Sequence, residues 1–269
     1  MSATRIVLGF IVGAVLLYAL AVGAAWLGQR KLIYPAPVGT QPIPDGYERV
    51  LLQTSDGLML EAAWRDGLPD RPVIVFFHGN GDRLSGAAAA VAPLARAGFS
   101  VLLPEYRGYS GNPGSPTEEG LYRDGDAAIA WLRERGIAAE RIVPVGNSLG
   151  SGVAARMAVT HGLERLALVS PFASLPDAAS ARLRFVPVRL LMKDRYDNRA
   201  MLAGYDGSAL ILHGSRDSLI PVDQARELAE LSDRFTLMRF EQAGHELAYL
   251  PGSGRAIRRW LRPSGDLAQ

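Results

Sequence analysis

Short apolar runs alternate along most of the chain with longer segments whose apolar residues recur at helical spacing. The short runs predict strands at Val73–Phe77, Ser100–Leu103, Ile142–Val145, Leu166–Val169, Ala209–Leu212 and Phe235–Met238. The longer segments predict helices at Leu84–Ala97, Glu118–Arg135, Ser148–Thr160, Pro221–Leu231 and Ser253–Leu261. This alternation indicates an α/β fold with a mostly parallel central sheet and helices on both faces. Ligands of such sheets bind beyond the carboxyl ends of the strands.

Three segments depart from this alternation. Residues 47–53 and 58–65 flank a Ser-Asp-Gly turn and predict a β-hairpin before the parallel strands. The long stretch 171–205 between two predicted strands is interpreted as a small cap. The proline-containing stretch before the hairpin predicts an extended linker. The domain prediction is therefore an anchor at 1–30, a linker at 31–46 and a catalytic domain at 47–269 that contains the cap.

The N-terminus predicts a single membrane-spanning helix. Residues Ile6 to Leu27 form an uncharged stretch rich in Val, Leu, Ala and Gly, between Arg5 and the pair Arg30-Lys31. A helix of that length matches the hydrocarbon thickness of a bilayer. Trp26 and Tyr34 are predicted to be interfacial aromatics at its outer end.

A cleaved signal peptide is the alternative interpretation of the N-terminus. Its apolar region is usually shorter, about 7–15 residues, so length favours an uncleaved anchor, although Ala19, Val22 and Ala24 offer small residues near a cleavage site. The flanking charges do not set the orientation, because the amine and Arg5 balance Arg30 and Lys31. In a bacterium such an anchor would most simply leave the catalytic domain outside the cytoplasm.

Composition removes several classes of chemistry. The 269 residues include no cysteine, which excludes disulfides and a thiol nucleophile. A formal net charge of +2 gives no support to a nucleic-acid partner. The sequence has neither an H-E-x-x-H motif nor a carboxylate cluster, so we predict no metal and no cofactor.

The segment Gly146–Gly150 has the pattern G-x-S-x-G directly between a predicted strand and a predicted helix. That context indicates a nucleophile elbow, a tight turn that holds the hydroxyl of Ser148 above the sheet. Glycines flank the serine because a Cβ at either position would collide with the neighbouring strand or helix. The following helix points its N-terminal N–H groups at the place where negative charge develops in acyl transfer.

A serine nucleophile needs a base and a carboxylate that orients the base. In enzymes with this elbow the partners follow in the order Ser, Asp or Glu, His. His245 lies just past the last predicted strand and is predicted to be the base, and Asp217 follows the preceding strand and is predicted to be the acid. Asp223 is a rival acid, but its place in the first turn of a helix is explained by the helix dipole.

Other polar residues receive structural interpretations. His78 and His213 precede glycines at strand ends and are interpreted as turn-shaping, and His161 as a partner of a helix C-terminus. Asp194 and Asp197 in the cap are predicted to be surface charges, and Glu246 to be solvated.

Two backbone amides are predicted to form an oxyanion hole. One is the N–H of Leu149, which follows the nucleophile. The other is the N–H of Asn80, in the glycine-rich loop 77–82 after the first long strand. A plain glycine turn between strand and helix describes the same loop and is compatible with this role.

Segments spread over nearly the whole chain resemble the membrane-anchored, depalmitoylase-like branch of the α/β-hydrolase domain-containing proteins. They are the anchor with Gln29–Pro35, and Phe77–Gly81, Glu105–Gly111, Pro116–Tyr122, Gly146–Gly150, His213–Asp217 and Gly244–His245. The resemblance implies an α/β-hydrolase fold and a serine hydrolase of esters or thioesters, with Ser148, Asp217 and His245 as its triad. Family members commonly have Asp in place of Glu105 and Gly in place of Ser110, departures that bear on substrate preference rather than on the triad.

The cap is the source of the only substrate prediction. Its apolar residues are interpreted either as the wall of an acyl pocket or simply as packing against the core: Phe172, Leu175, Leu183, Phe185, Val186, Val188, Leu190, Leu191 and Met192. Its cations are predicted to rest on anionic headgroups: Arg182, Arg184, Arg189, Lys193, Arg195 and Arg199. The predicted function is hydrolysis of a small or lipid-like ester; a serine peptidase of the same fold and a non-catalytic membrane scaffold are the alternatives.

Overall fold

The apolar runs pair into one eight-stranded sheet in the computed structural model, which describes residues 3–262. The strands are β1 (Glu48–Gln53), β2 (Met59–Arg65), β3 (Val73–Phe77), β4 (Ser100–Pro104), β5 (Ile142–Asn147), β6 (Arg165–Val169), β7 (Ser208–Gly214) and β8 (Phe235–Phe240). They lie in the order β1-β2-β4-β3-β5-β6-β7-β8. β2 pairs antiparallel with β1 and β4, and every other pairing is parallel. The predicted hairpin and mostly parallel sheet are confirmed.

The predicted helices are present with small shifts at their ends. The helices are α1 (Ala3–Ile33), α2 (Leu84–Arg96), α3 (Glu118–Glu134), α4 (Leu149–His161), α5 (Leu175–Arg182), α6 (Val188–Leu191), α7 (Asn198–Leu202), α8 (Val222–Ala229) and α9 (Pro251–Trp260). α2 and α9 pack on one face of the sheet, and α3, α4 and α8 on the other. Along β5, Ile142 faces the second group and Val143 the first, as the two-residue period of a strand requires.

The parallel strands direct several loops to one edge of the sheet. The loops after β3, β5, β7 and β8 leave the carboxyl ends of neighbouring strands. The insert 171–205 connects β6 to β7 and contains α5, α6 and α7. The ends of the predicted domains at residues 1–2 and 263–269 lie outside the described residues.

In the described part of the chain, α1 is the one helix long and apolar enough to cross a membrane, and none of its most apolar stretch is buried. It continues to Ile33, past the predicted boundary. Tyr34 is only 4% exposed, and its hydroxyl lies 2.9 Å from that of Tyr196 in the cap. Its predicted interfacial role is therefore wrong, since burial of the ring with a hydrogen-bonded hydroxyl satisfies both parts of the side chain.

The prediction that Asp194 is a surface charge is also wrong, because the residue is only 3% exposed. Its Oδ2 accepts a hydrogen bond from Arg30 Nε at 3.0 Å, and its Oδ1 accepts one from the Glu118 amide at 3.2 Å. A carboxylate is buried only when it is paired and hydrogen-bonded in this way. The pair joins the end of α1 to the cap and to the start of α3.

Candidate active site

Ser148 occupies the sharp turn between β5 and α4. Its backbone has φ 51° and ψ −115°, a conformation that residues other than glycine rarely adopt. The Ser148 amide donates to the Val169 carbonyl on β6 at 2.9 Å, which holds the strained turn on the sheet. Conformations of this kind persist where the surrounding structure imposes them, and they cluster at functional sites.

The glycines beside Ser148 allow the close approach that the sequence predicts. A Cβ on Gly146 would lie 2.3 Å from the Gly150 carbonyl oxygen. A Cβ on Gly150 would lie 2.0 Å from the Phe77 carbonyl oxygen on β3. Both distances are impossible for a real side chain, so only glycine lets α4 begin this close to the strands.

The three residues predicted as nucleophile, base and acid are brought together by the loops after β5, β8 and β7. The Ser148 Oγ lies 2.9 Å from His245 Nε2, and His245 Nδ1 lies 2.8 Å from Asp217 Oδ2. A carboxylate only accepts hydrogen bonds, so Nδ1 carries the proton and Nε2 is left as the acceptor for the hydroxyl. This arrangement can move a proton from the serine to the imidazole.

The Asp217 carboxylate is held in its ionised form. Burial by itself would raise its pKa, but hydrogen bonds from His245 and from the Ile220 amide outweigh burial and lower the pKa. The second carboxylate oxygen accepts from the amides of Leu219 and Ile220, each at 2.9 Å. The side chain therefore has one fixed orientation, with Oδ2 toward His245.

His213 has the turn-shaping role that was predicted. It is fully buried, and its Nε2 donates to the Ile220 carbonyl at 2.9 Å across the loop that carries Asp217. Burial lowers the pKa of His213, which keeps it neutral beside the carboxylate.

The rival residues have the structural surroundings expected of them. Asp223 is exposed in the first turn of α8 and pairs with Arg226. His161 ends α4 and lies 2.8 Å from Asp126. Glu246 is exposed and accepts from the Gly244 amide. Asp197, predicted as a surface charge, accepts from the Ala200 amide at the start of α7.

The loop after β3 lies beside the elbow. A Cβ on Gly79 would be 3.6 Å from Ser148 Cβ. The Leu149 N–H is at the first position of α4, where a helix provides no partner for it. Asn80 is exposed, and its side-chain amide donates to the Ile33 carbonyl at the end of α1 at 3.2 Å. The oxyanion role of the two backbone amides stays a prediction that this placement supports.

His78 is more than the turn residue that was predicted. It is fully buried, with Nε2 2.9 Å from Glu105 Oε1 and Nδ1 2.8 Å from the Gly79 carbonyl. The Gly79 carbonyl only accepts, so His78 donates from Nδ1, and its Nε2 shares a proton with the Glu105 carboxyl group. Burial would lower its pKa, but Glu105 raises it. The signal was present in the sequence, because His78 and Glu105 follow the adjacent strands β3 and β4.

We expect Glu105→Gln to lower kcat without preventing folding. Glu105 Oε2 also accepts from the Leu84 amide at 3.2 Å, so the glutamine NH₂ would face a donor on one side or the other. The loop with Gly79 and Asn80 would then shift. Removal of an oxyanion donor typically lowers kcat by a factor of about 10²–10³, and displacement of the donor lowers it less. We therefore expect kcat to fall about tenfold to a hundredfold.

The measurement is the kcat of p-nitrophenyl acetate hydrolysis, with circular dichroism as the check of folding. The matched control is Glu119→Gln, an exposed carboxylate on α3. A folded Glu105→Gln variant with the kcat of the wild type would show that the pair does not position the loop.

Comparison with known proteins agrees with the fold described above. Residues 74–209 match the sequence profile described as the Alpha/beta hydrolase family, which is half of the chain. The chain belongs to the alpha/beta hydrolase family. The matched residues include the Ser148 elbow and the loop after β3.

Proteins similar to this alpha/beta hydrolase include a lipase and an esterase. An uncharacterized protein of Mycobacterium tuberculosis is 34% identical over 91% of each chain. The lysophosphatidylserine lipase ABHD12 of Danio rerio is 26% identical over 68% of this chain and 52% of its own length. The solved structure of the Pyrococcus furiosus esterase Pf2001 has a TM-score of 0.70 at 19% identity and covers 86% of this chain and 100% of its own, which shows the shared fold.

Residues able to hold a metal ion are not grouped in the described part of this hydrolase. Among residues 3–262, no cluster of three or more His, Cys, Asp or Glu side chains has suitable geometry. The chemistry available at the elbow is that of the hydroxyl, imidazole and carboxylate described above.

Proposed function

We propose that the chain is a membrane-anchored serine hydrolase that cleaves carboxylic esters or thioesters through an acyl-enzyme intermediate. The observation that carries the proposal is the unbroken line of hydrogen bonds from Asp217 through His245 to Ser148, at a strained turn above the sheet. The membership of the family and the lipase among its relatives support a hydrolase, and the esterase Pf2001 shares the fold.

In the proposed reaction His245 Nε2 takes the proton of Ser148 as Oγ attacks the acyl carbon. The carbonyl oxygen becomes an oxyanion, which the amides of Leu149 and Asn80 stabilise. His245 then gives its proton to the leaving alcohol or thiol, and an acyl group remains on Ser148. Water attacks this acyl group, loses its proton to His245 and releases the carboxylic acid, and the proton returns to Ser148.

The anchor is part of the proposal. None of the most apolar stretch of α1 is buried in the protein, as expected of a helix surrounded by lipid. The site is predicted to lie outside the cytoplasm. This stays a prediction, because positive charges flank both ends of the apolar stretch and do not set its orientation.

The other two classes fit the site less well. A peptidase uses the same three residues, but the described residues place no gating domain over the elbow, only the short helices of the cap. A scaffold needs no line of hydrogen bonds from a carboxylate through an imidazole to a serine hydroxyl.

The proposal is tested by labelling the detergent-solubilised full chain with an alkyl fluorophosphonate and mapping the adduct by peptide mass spectrometry. We expect one adduct, on Ser148, because the imidazole of His245 lies within hydrogen-bonding distance of its hydroxyl and can act as the base. Loss of ester turnover should follow the labelling. A labelled but equally active protein, or no adduct on Ser148, would contradict the proposal, and labelling with cleavage of p-nitroanilides alone would favour the peptidase.

A further inference from the structure

An apolar cavity of about 240 Å³ lies between the last turns of α1 and the cap. The α1 wall includes Val22, Ala25 and Ile33, and the cap wall includes Ala179, Val188 and Met192. The polar side chain on its lining, Gln29, has partners of its own and is described next. The cavity is therefore bounded by the predicted membrane helix on one side and by the cap on the other.

Polar contacts join the two walls of the cavity and fix the distance between them. The buried Gln29 donates from Nε2 to the Leu191 carbonyl at 3.3 Å and accepts from the Lys193 amide at 2.8 Å. The ion pair between Arg30 and Asp194 fixes the same end of the helix. Because these bonds join α1 to the cap backbone, they fix the position of both walls of the cavity.

The wall of the cavity contacts the loop that lies beside the elbow. Ile33 lines it, and the Ile33 carbonyl accepts the hydrogen bond from the Asn80 side chain at 3.2 Å. Gly79, the residue before Asn80, is the one whose Cβ would lie 3.6 Å from Ser148 Cβ. One loop thus separates the wall of the cavity from the proposed nucleophile.

The cap also contacts α1 within the apolar stretch of the helix. The Phe185 carbonyl accepts a hydrogen bond from the Tyr18 hydroxyl. Tyr18 precedes Trp26 by eight residues, about 12 Å along a helix axis, within the uncharged stretch of the anchor. In the same cap, Phe185 is 89% exposed and Leu190 is 83% exposed. Exposed apolar side chains at this position are typical of a surface that lies in a membrane.

Part of the sequence prediction for the cap is revised by these contacts. Phe172 is buried in the core against Tyr196 and not in the cavity. Phe185 and Leu190 face outward. The cap residues on the cavity wall are Ala179, Leu183, Val186, Val188, Leu191 and Met192.

We infer that this cavity is the acyl-binding site, that α1 forms one of its walls, and that the acyl chain of a long-chain ester or thioester enters it sideways from the membrane. The inference rests on the proposed function. The cavity volume of about 240 Å³ is below the roughly 300–1,000 Å³ of pockets that enclose whole drug-sized ligands, so the cavity would hold part of one hydrocarbon chain and leave the polar group outside. Lys31 is exposed beside the cavity, and Lys193 Nζ lies 4.1 Å from the Trp26 ring centroid, where an anionic group at the membrane surface would meet them.

The first test fills the cavity from each wall with Ala25→Phe and Ala179→Phe. The matched controls are Ala24→Phe and Ala181→Phe, neighbouring positions on the same helices that do not line the cavity. The full chain in proteoliposomes is assayed with p-nitrophenyl acetate and p-nitrophenyl palmitate. One methylene in an apolar pocket changes the discrimination between two substrates, measured as kcat/KM, by about 10–200-fold. We therefore expect the palmitate-to-acetate ratio of kcat/KM to fall at least about tenfold in the filled variants. The controls should keep the wild-type ratio, and a wild-type ratio in both filled variants would overturn the inference.

The second test does not depend on turnover. Ser148→Ala is illuminated in vesicles that contain a palmitoyl ester with a diazirine in the middle of its chain, and adducts are mapped by mass spectrometry. We expect adducts at Ala179 and Met192, lost with Ala25→Phe and kept with Ala24→Phe. Adducts only on the outer face of α1 would overturn the acyl site. Adducts in the cavity with no turnover in the wild type would instead contradict the proposed hydrolase and leave the lipid site standing.

Discussion

Ser148→Ala is expected to lower ester turnover by a factor on the order of 10⁶, to near the background rate. The variant keeps His245 and Asp217 but removes the only atom that forms the acyl-enzyme, so water must attack the substrate directly. The methyl group fits the space of the hydroxymethyl group, and the strained turn is held by the backbone bond to Val169. The fold should therefore survive, and the loss should be in kcat.

The measurement is hydrolysis of p-nitrophenyl esters from acetyl to palmitoyl by the detergent-solubilised variant and wild type. Ser151→Ala is the matched control, because Ser151 lies three residues further along α4 and its Oγ accepts from Asn198. Its hydroxyl has no part in the proposed reaction, so the control should keep most of the activity. Turnover by Ser148→Ala within tenfold of the wild type would rule out Ser148 as the nucleophile.

Asp217→Asn is expected to lower kcat by about 10⁴. One oxygen of Asp217 accepts from the amides of Leu219 and Ile220, so an asparagine would keep its carbonyl there and turn its NH₂ toward His245. The imidazole would then accept at Nδ1 and carry its proton at Nε2, where it can no longer take the proton of Ser148. The nucleophile remains in place, but it loses its base.

The pH dependence of kcat and a labelling rate with fluorophosphonate measure this effect, since both depend on the base and not on substrate binding. Asp223→Asn is the control, an exposed carboxylate on α8 that pairs with Arg226. It should behave as the wild type. Full activity in Asp217→Asn together with loss of activity in Asp223→Asn would move the acid role to Asp223.

The sequence was most informative where local chemistry and chain order constrain the structure. Gly146 and Gly150 could be placed at an elbow because no other residue allows a helix to begin so close to a strand. Asp217 and His245 could be placed beside Ser148 because the carboxyl ends of parallel strands meet at one edge of the sheet. Asp223 and Glu246 could be assigned to the surface from their place at helix starts and in loops.

The same reasoning failed for residues whose partners are distant along the chain. Tyr34 and Asp194 look like surface residues in their own segments, but they bury against Tyr196 and Arg30, more than 160 residues away. His78 looks like a turn residue, and only the neighbouring strand β4 supplies Glu105, the buried partner of its imidazole.

The sequence by itself thus determined the sheet, the elbow and the three residues that meet there, because periodicity, glycine geometry and strand order are local or ordered properties of the chain. Only the tertiary structure decided that α1 ends against the cap, that Gln29 and Asp194 hold it there, and that an apolar cavity remains between them. The physical reason is that burial and pairing depend on which surfaces meet in space. An apolar helix and an apolar cap each look the same in sequence whether they pack tightly or leave room for a lipid chain.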